Sequence, residues 1–244
     1  MIVKCISVVT CAACFLYTFY ILCNLTYFLS YHKEVQNINI SLEKDEHFDS
    51  VLWLLIINTS LVSTFMVQHS FMASDFMKNL FCKLNMDYME RSIYNVTSAM
   101  TLHLLLNQWQ IIPSIALWKF DTSSNIVWFI FTAFHVLAWS IIYSGCLMMD
   151  ISELTGLKQV YYKFSFLPSP MIMKSRELLR YYSHMRHPSF TGFLIVLWIH
   201  PYMTLDRILL ASILTIYMAL MWTIDKEDYN YHASLVRQKQ RELL

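Results

Sequence analysis

"FLYTFYILCNLTYFL", residues 15–29, runs for fifteen residues without a charge. With the apolar residues before it, it forms a stretch near 5–30, longer than the about 20 residues a helix needs to cross the hydrocarbon core of a bilayer. Five further stretches of this kind follow, near 51–73, 94–118, 125–149, 189–204 and 207–224. The composition agrees: 57% hydrophobic residues, 14% charged and three glycines suit a polytopic membrane protein and argue against a soluble domain. Unpaired backbone N–H and C=O groups cannot face lipid, so the spans are expected to be helices. The fold expected is therefore all-α, one integral membrane domain of six transmembrane helices over residues 1–244. The first stretch lacks a compact apolar segment followed by a small-residue cleavage site, and reads as a retained signal anchor.

The last two stretches are short and adjacent. They read as a tight hairpin turning at "HPYMTLDR", residues 200–207, with Pro201 ending one helix and Asp206 capping the next. Lysines and arginines set the orientation. With the N-terminus cytoplasmic or nucleoplasmic, that side holds fourteen of them, and the other side holds Lys33, Lys44, Lys119 and Arg207. This asymmetry places both termini on the positive face. Five of the six cysteines fall inside apolar stretches and Cys82 lies on the reducing side, so no disulfide framework is expected. Of four Asn-x-Ser/Thr sequons, at Asn24, Asn39, Asn58 and Asn95, only Asn39 sits in a lumenal loop.

No repeat or flexible linker divides the chain. The loop 31–50 is acidic and reads as a solvated connector. Segment 150–188 is the largest region outside the spans, and within it "KSRELLRYYSHMRH", residues 174–187, alternates basic and apolar-aromatic residues at helical spacing. That pattern suits a helix lying in the membrane interface. The tail 225–244 is charged and too polar to span.

Three groups of residues can carry chemistry. Pro188 marks the start of the fifth span, because proline in a first helical turn loses no backbone hydrogen bond. Arg186 and His187 then lie at the membrane surface, able to bind an anionic headgroup or a cofactor carboxylate, or to anchor the helix end by snorkelling; spacing favours the anchor. Gly192 removes a side chain where spans pack closely or a ligand approaches. Gln68, His69 and Ser70 form an intramembrane polar cluster, expected to face the bundle interior because polar groups in lipid are costly. His103 and His135 lie at different depths, which suits interhelical hydrogen bonds and not a metal site. Asp225, Glu227 and Asp228 follow the sixth span on the same face as Arg186 and His187. There they either help bind a zwitterionic ligand or simply begin a solvated helix, the blander account being favoured.

Together the motifs are more specific. Tyr182 followed by "RHPSFTGF" (186–193) resembles the Tyr-x-x-x-Arg-His-Pro-x-Tyr-x-Gly signature of the isoprenylcysteine carboxyl methyltransferases, with Phe190 in the second tyrosine position. "QHSFMA" (68–73), "MERSIY" (89–94) and "NQWQIIP" (107–113) extend the likeness to the branch that holds the methanethiol S-methyltransferases and the nurim family of the nuclear envelope. "GLKQVYY" (156–162), "SHMRHP" (183–188) and "TLDRILLA" (204–211) are similar to the nurim family itself.

The resemblance implies a multi-pass protein of the nuclear inner membrane with no catalytic residue established, and an ancestral S-adenosylmethionine pocket between the last two spans and their cytoplasmic flanks. Carried over by position, Tyr182, Arg186, His187, Pro188 and Gly192 fall on the methyltransferase motif, with Asp225 in the first place of its Glu-Glu pair. The departures are specific: Arg180 replaces a glycine, Lys226 replaces the second carboxylate, and the later Gly-x-x-Tyr has no counterpart. Methyl transfer is a displacement that depends on holding donor and acceptor in line, so losing part of the positioning shell harms catalysis more than folding. The expectation is a degenerate methyltransferase-like fold with a structural or organisational role. No cofactor or metal is expected; its partners are the lipid bilayer and nuclear envelope or lamina proteins, with no direct nucleic-acid binding. The alternative is an S-adenosylmethionine-dependent methyltransferase acting on a thiol or carboxylate of a lipophilic substrate. A weaker third reading has the basic 158–186 segment binding anionic lipid or serving as a scaffold.

Overall fold

The computed structural model describes residues 2–31, 48–168, 170, 189–221 and, near the C-terminus, 233, 234, 236, 237 and 239–242. Its elements in chain order are helices α1 (Ile2–Ser30), α2 (Phe48–Met72) and α3 (Asp75–Lys83), a 3₁₀ turn (Asp87–Met89), α4 (Glu90–Gln108), strand β1 (Ala116–Lys119), α5 (Asn125–Met148), α6 (Ile151–Leu154), α7 (Leu157–Phe164), α8 (Phe190–Trp198), β2 (Tyr202–Thr204) and α9 (Leu205–Met221).

Among the described residues, three helices are long and apolar enough to cross a membrane: Val3–Ser30, Ser50–Met72 and Asn125–Met148. Each is apolar around most of its circumference. Outward residues such as Val9 (68%), Ile126 (73%) and Phe129 (66%) keep most of their surface exposed, as a lipid-facing side requires. In water such continuous apolar surface would drive association.

Six helices pack as a closed ring. α4 lies between α1 and α2, α2 meets α9, α9 meets α8, α8 lies along α5, and α5 returns to α1. The buried interior contains Val62, Leu105, Trp139, Val196 and Ala211, drawn from five of these helices.

Several expectations need correction. The third apolar stretch is not helical to residue 118, and the fold is mostly helical instead of all-α. Helix α4 stops at Gln108 because Trp109 turns to extended backbone, φ −60° and ψ 127°. Remote side chains take up the backbone groups released there. Buried Asn58 of α2 accepts from the Gln110 N–H (2.9 Å) and donates to its carbonyl (2.7 Å). Asp206 accepts the Ile112 N–H at 3.1 Å. The chain then enters β1, which pairs antiparallel with β2, matching Ala116 with Thr204 and Lys119 with Tyr202 around a bulge.

The same sheet shortens the fifth stretch, expected near 189–204. Its described helix, α8, has nine residues, about 14 Å of rise against a hydrocarbon core of about 30 Å. Pro201 follows, and its carbonyl accepts the Phe120 N–H at 2.8 Å. Asp206 does not cap α9, since its carboxylate is committed to Trp109 and Ile112. The turn between α8 and α9 is therefore a strand that pairs with β1 at one end of the ring.

At the other end, α6 and α7 dock on α1 and α4. Asn95 Nδ2 donates to the Leu154 carbonyl at 2.7 Å, and Ser92 Oγ donates to that of Thr155 at 3.1 Å. Gly156 has φ +88°, and a Cβ there would collide with Ser92, so this approach requires glycine twice over.

Candidate functional site

Gln68, His69 and Ser70 are consecutive in α2, so a rotation of about 100° per residue aims each at a different neighbour. Gln68 Nε2 donates to Thr97 Oγ1 at 2.9 Å, and Thr101 Oγ1 lies 3.2 Å from its Oε1. His69 has Tyr94 Oη 2.9 Å from Nε2 and stacks on Phe65, ring centroids 5.6 Å apart. Ser70 Oγ lies 2.9 Å from Tyr217 Oη. The three residues thus form a polar layer joining α2 to α4 and α9. Each of the three side chains finds a partner on a neighbouring helix, which offsets the cost of placing it in an apolar body.

This layer lies at the end of the ring where α8 begins and α9 ends. Of the motif residues, Gly192 is described there. A Cβ on it would fall 2.7 Å from the Ala138 carbonyl oxygen and 2.7 Å from Ile142 Cγ1. Gly192 lets α8 touch α5, and that contact leaves no cradle for a ligand at this position. Tyr182, Arg186, His187, Pro188 and Asp225 lie outside the described residues, as do Glu227 and Asp228.

The two remaining intramembrane histidines bridge helices. His103 Nδ1 lies 2.9 Å from Tyr17 Oη, joining α4 to α1. His135 donates from Nε2 to the Ile199 carbonyl (2.7 Å), so its Nδ1 accepts from Ser30 Oγ (2.9 Å), which in turn accepts from Trp139 Nε1 (2.6 Å). Among the described residues, no three His, Cys, Asp or Glu side chains converge as metal ligands would.

Outside the spans, Asp150 sits 2.8 Å from the Lys158 ammonium. The hydrogen bond from Lys158, then those from Ser152, hold its carboxyl down at about 2, and the same pair raises Lys158. At the opposite end, the side-chain and backbone hydrogen bonds of Ser123 lower exposed Asp121.

A cavity of about 490 Å³ also opens at that opposite end, bounded by α1, the end of α4, the β1–β2 pair and Arg207. Arg207 and Lys119 counted in the sequence only as loop charges. The available signal was an arginine at the start of an apolar stretch, a costly placement that calls for a structural or binding reason.

Two insect proteins align along nearly the whole chain. It is 38% identical to the nurim homolog of Drosophila pseudoobscura pseudoobscura over 98% of this chain and 97% of the relative. It is 34% identical to that of Drosophila melanogaster over 99% and 98%. The chain belongs to the nurim family. Vertebrate nurims align over less: that of Danio rerio is 38% identical across 75% of this chain and 67% of its own length. No family model and no solved structure matches the chain. In this nurim-family protein the polar layer and the Gly192 contact thus lie at one end of the helix ring, and the β1–β2 pair lies at the other.

Proposed function

We propose that this nurim-family membrane protein is a six-span protein of the nuclear inner membrane, both termini nucleoplasmic, with a structural or organisational role on a degenerate methyltransferase-like fold. The observation that carries the reading is Gly192. The motif glycine is occupied by contact with Ala138 and Ile142, so packing alone explains why this position keeps glycine. Family membership supports the nuclear envelope address, and the charge asymmetry of the sequence supports the orientation. The retained Arg186-His187-Pro188 then serves as the anchored start of a helix, and proteins of the envelope or lamina are the partners such a body would organise.

Calorimetric titration of the full-length, detergent-purified protein with S-adenosylmethionine and S-adenosylhomocysteine tests this. The expected result is no heat from a folded sample. Micromolar binding that Arg186→Ala and His187→Ala both abolish would overturn it in favour of methyl transfer to a thiol or carboxylate on a lipophilic substrate.

A further inference from the structure

The link from α2 to α4 turns at one level of the ring. The two helices run antiparallel, since Asn58 reaches Gln110 at one end of the pair while Gln68 meets Thr97 and His69 meets Tyr94 toward the other. Residues 73–89 therefore return the chain just past the polar layer, where α2 stops. Most of that link is the nine-residue helix α3, begun by Ser74, whose Oγ accepts the Met77 N–H at 3.4 Å.

At about 100° per residue the sides of α3 differ in chemistry. Phe76, Leu80 and the C-cap Leu84 share one sector and are 66%, 39% and 58% exposed. Phe81, on the adjoining sector, is buried. Asp75, Lys78 and Cys82 take the far side, where the Lys78 ammonium lies 3.0 Å from the Asp75 carboxylate and the Cys82 thiol is exposed. Exposed Lys83 stands at the edge of the apolar sector, with an aliphatic stem long enough to lie along it. Large apolar side chains on one side and charges on the other suit a helix lying in a membrane interface.

Continuity identifies what covers the apolar sector. Phe71, in the last turn of α2, is exposed, and its ring centroid lies 6.2 Å from that of Phe76. Val67, one turn earlier on the same side of α2, is exposed as well. The lipid-facing side of a membrane-length helix thus runs through Phe71 onto α3 without a polar break.

We propose that α3 lies in the membrane interface of the leaflet where α2 ends, with Phe76, Leu80 and Leu84 at the acyl-chain boundary and Asp75, Lys78 and Cys82 toward water. The occupant of the apolar sector is the bilayer itself. The proposal rests on the membrane reading of α1, α2 and α5, and is independent of span number, orientation and nuclear residence.

The test places photoreactive p-benzoylphenylalanine at position 76, 80 or 78 of the full chain in phosphatidylcholine nanodiscs and reads the products by mass spectrometry. Illumination is expected to add one phosphatidylcholine at 76 and at 80, at least fivefold more than at 78. Position 84 carries the test if the variants at 76 and 80 do not fold. Equal lipid addition at 76 and 78, or none at 76, 80 and 84, would overturn the proposal. So would a cross-link from 76 or 80 to another part of the chain or to a second copy, in place of lipid. In the unmodified chain, Cys82 is expected to react with a membrane-impermeant maleimide in the same nanodiscs. A Cys82 that reacts only after the bilayer is dissolved in detergent would overturn the assigned rotation of the helix.

Discussion

Asp206 accepts the indole N–H of Trp109 at 3.0 Å, across 97 residues of chain. Its other oxygen takes the Ile112 N–H, so one carboxylate at the start of α9 fixes the place where α4 stops. Asp206→Ala leaves two buried donors without acceptors, and is expected to cost about 2–4 kcal/mol. Asp206→Asn, which keeps one good acceptor, should cost less. Thermal unfolding of the detergent-solubilised protein measures both, and an unchanged midpoint for the alanine variant would contradict this clamp.

Gly192→Ala places a methyl group against Ala138 and Ile142 at distances neither can yield without helix displacement. A loss of about 1–3 kcal/mol is expected from overpacking. Thr191→Ala, at an exposed neighbouring position, serves as the control and should stay within about 0.5 kcal/mol of the parent. Comparable midpoints for the two variants would mean that α8 is not in contact with α5 here.

The chain of bonds from Trp139 through Ser30 to His135 and the Ile199 carbonyl should show non-additive energetics. Ser30 is both acceptor and donor, so Ser30→Ala breaks two links. A double-mutant cycle of Ser30→Ala with Trp139→Phe is expected to give a coupling of about 0.5–3 kcal/mol. Strict additivity in unfolding measurements would show the links to be independent.

Asp150 makes stability depend on acid pH. Its folded carboxyl titrates at about 2, below the ordinary 3.8. The stabilisation is therefore fully present above pH 3.8 and is lost as pH falls through about 2. The side chain is 41% exposed, so solvent screening limits the effect to about 1 kcal/mol or less. Asp150 also holds φ +61°, a conformation that asparagine tolerates better than other uncharged residues with a side chain. Asp150→Asn should thus be less stable than the parent at pH 7, with the gap closing on acidification. A gap that stays constant with pH would assign the loss to the backbone.

What could be read directly from the residues follows the cost of exposing groups to lipid. α1, α2 and α5 were legible as apolar runs, because any other backbone there would leave polar groups unpaired. The need of Gln68, His69 and Ser70 for partners on neighbouring helices was legible for the same reason. Their partners were not, since Thr97, Tyr94 and Tyr217 are marked by nothing local. The stretch 94–118 misled because apolarity continues past Gln108 while helicity does not.

The amino-acid sequence by itself determined that this is a helical membrane body of the nurim family. That follows from uncharged runs of spanning length and from motifs distributed along the chain, both local properties. Only the tertiary structure decided where α4 and α8 end, that β1 and β2 pair at one end, and that Arg207 lines a cavity there. A helix can stop inside an apolar body only where other side chains accept the freed N–H and C=O groups. Here those are Asn58 and Asp206, tens of residues away in the chain and adjacent only once the ring has closed.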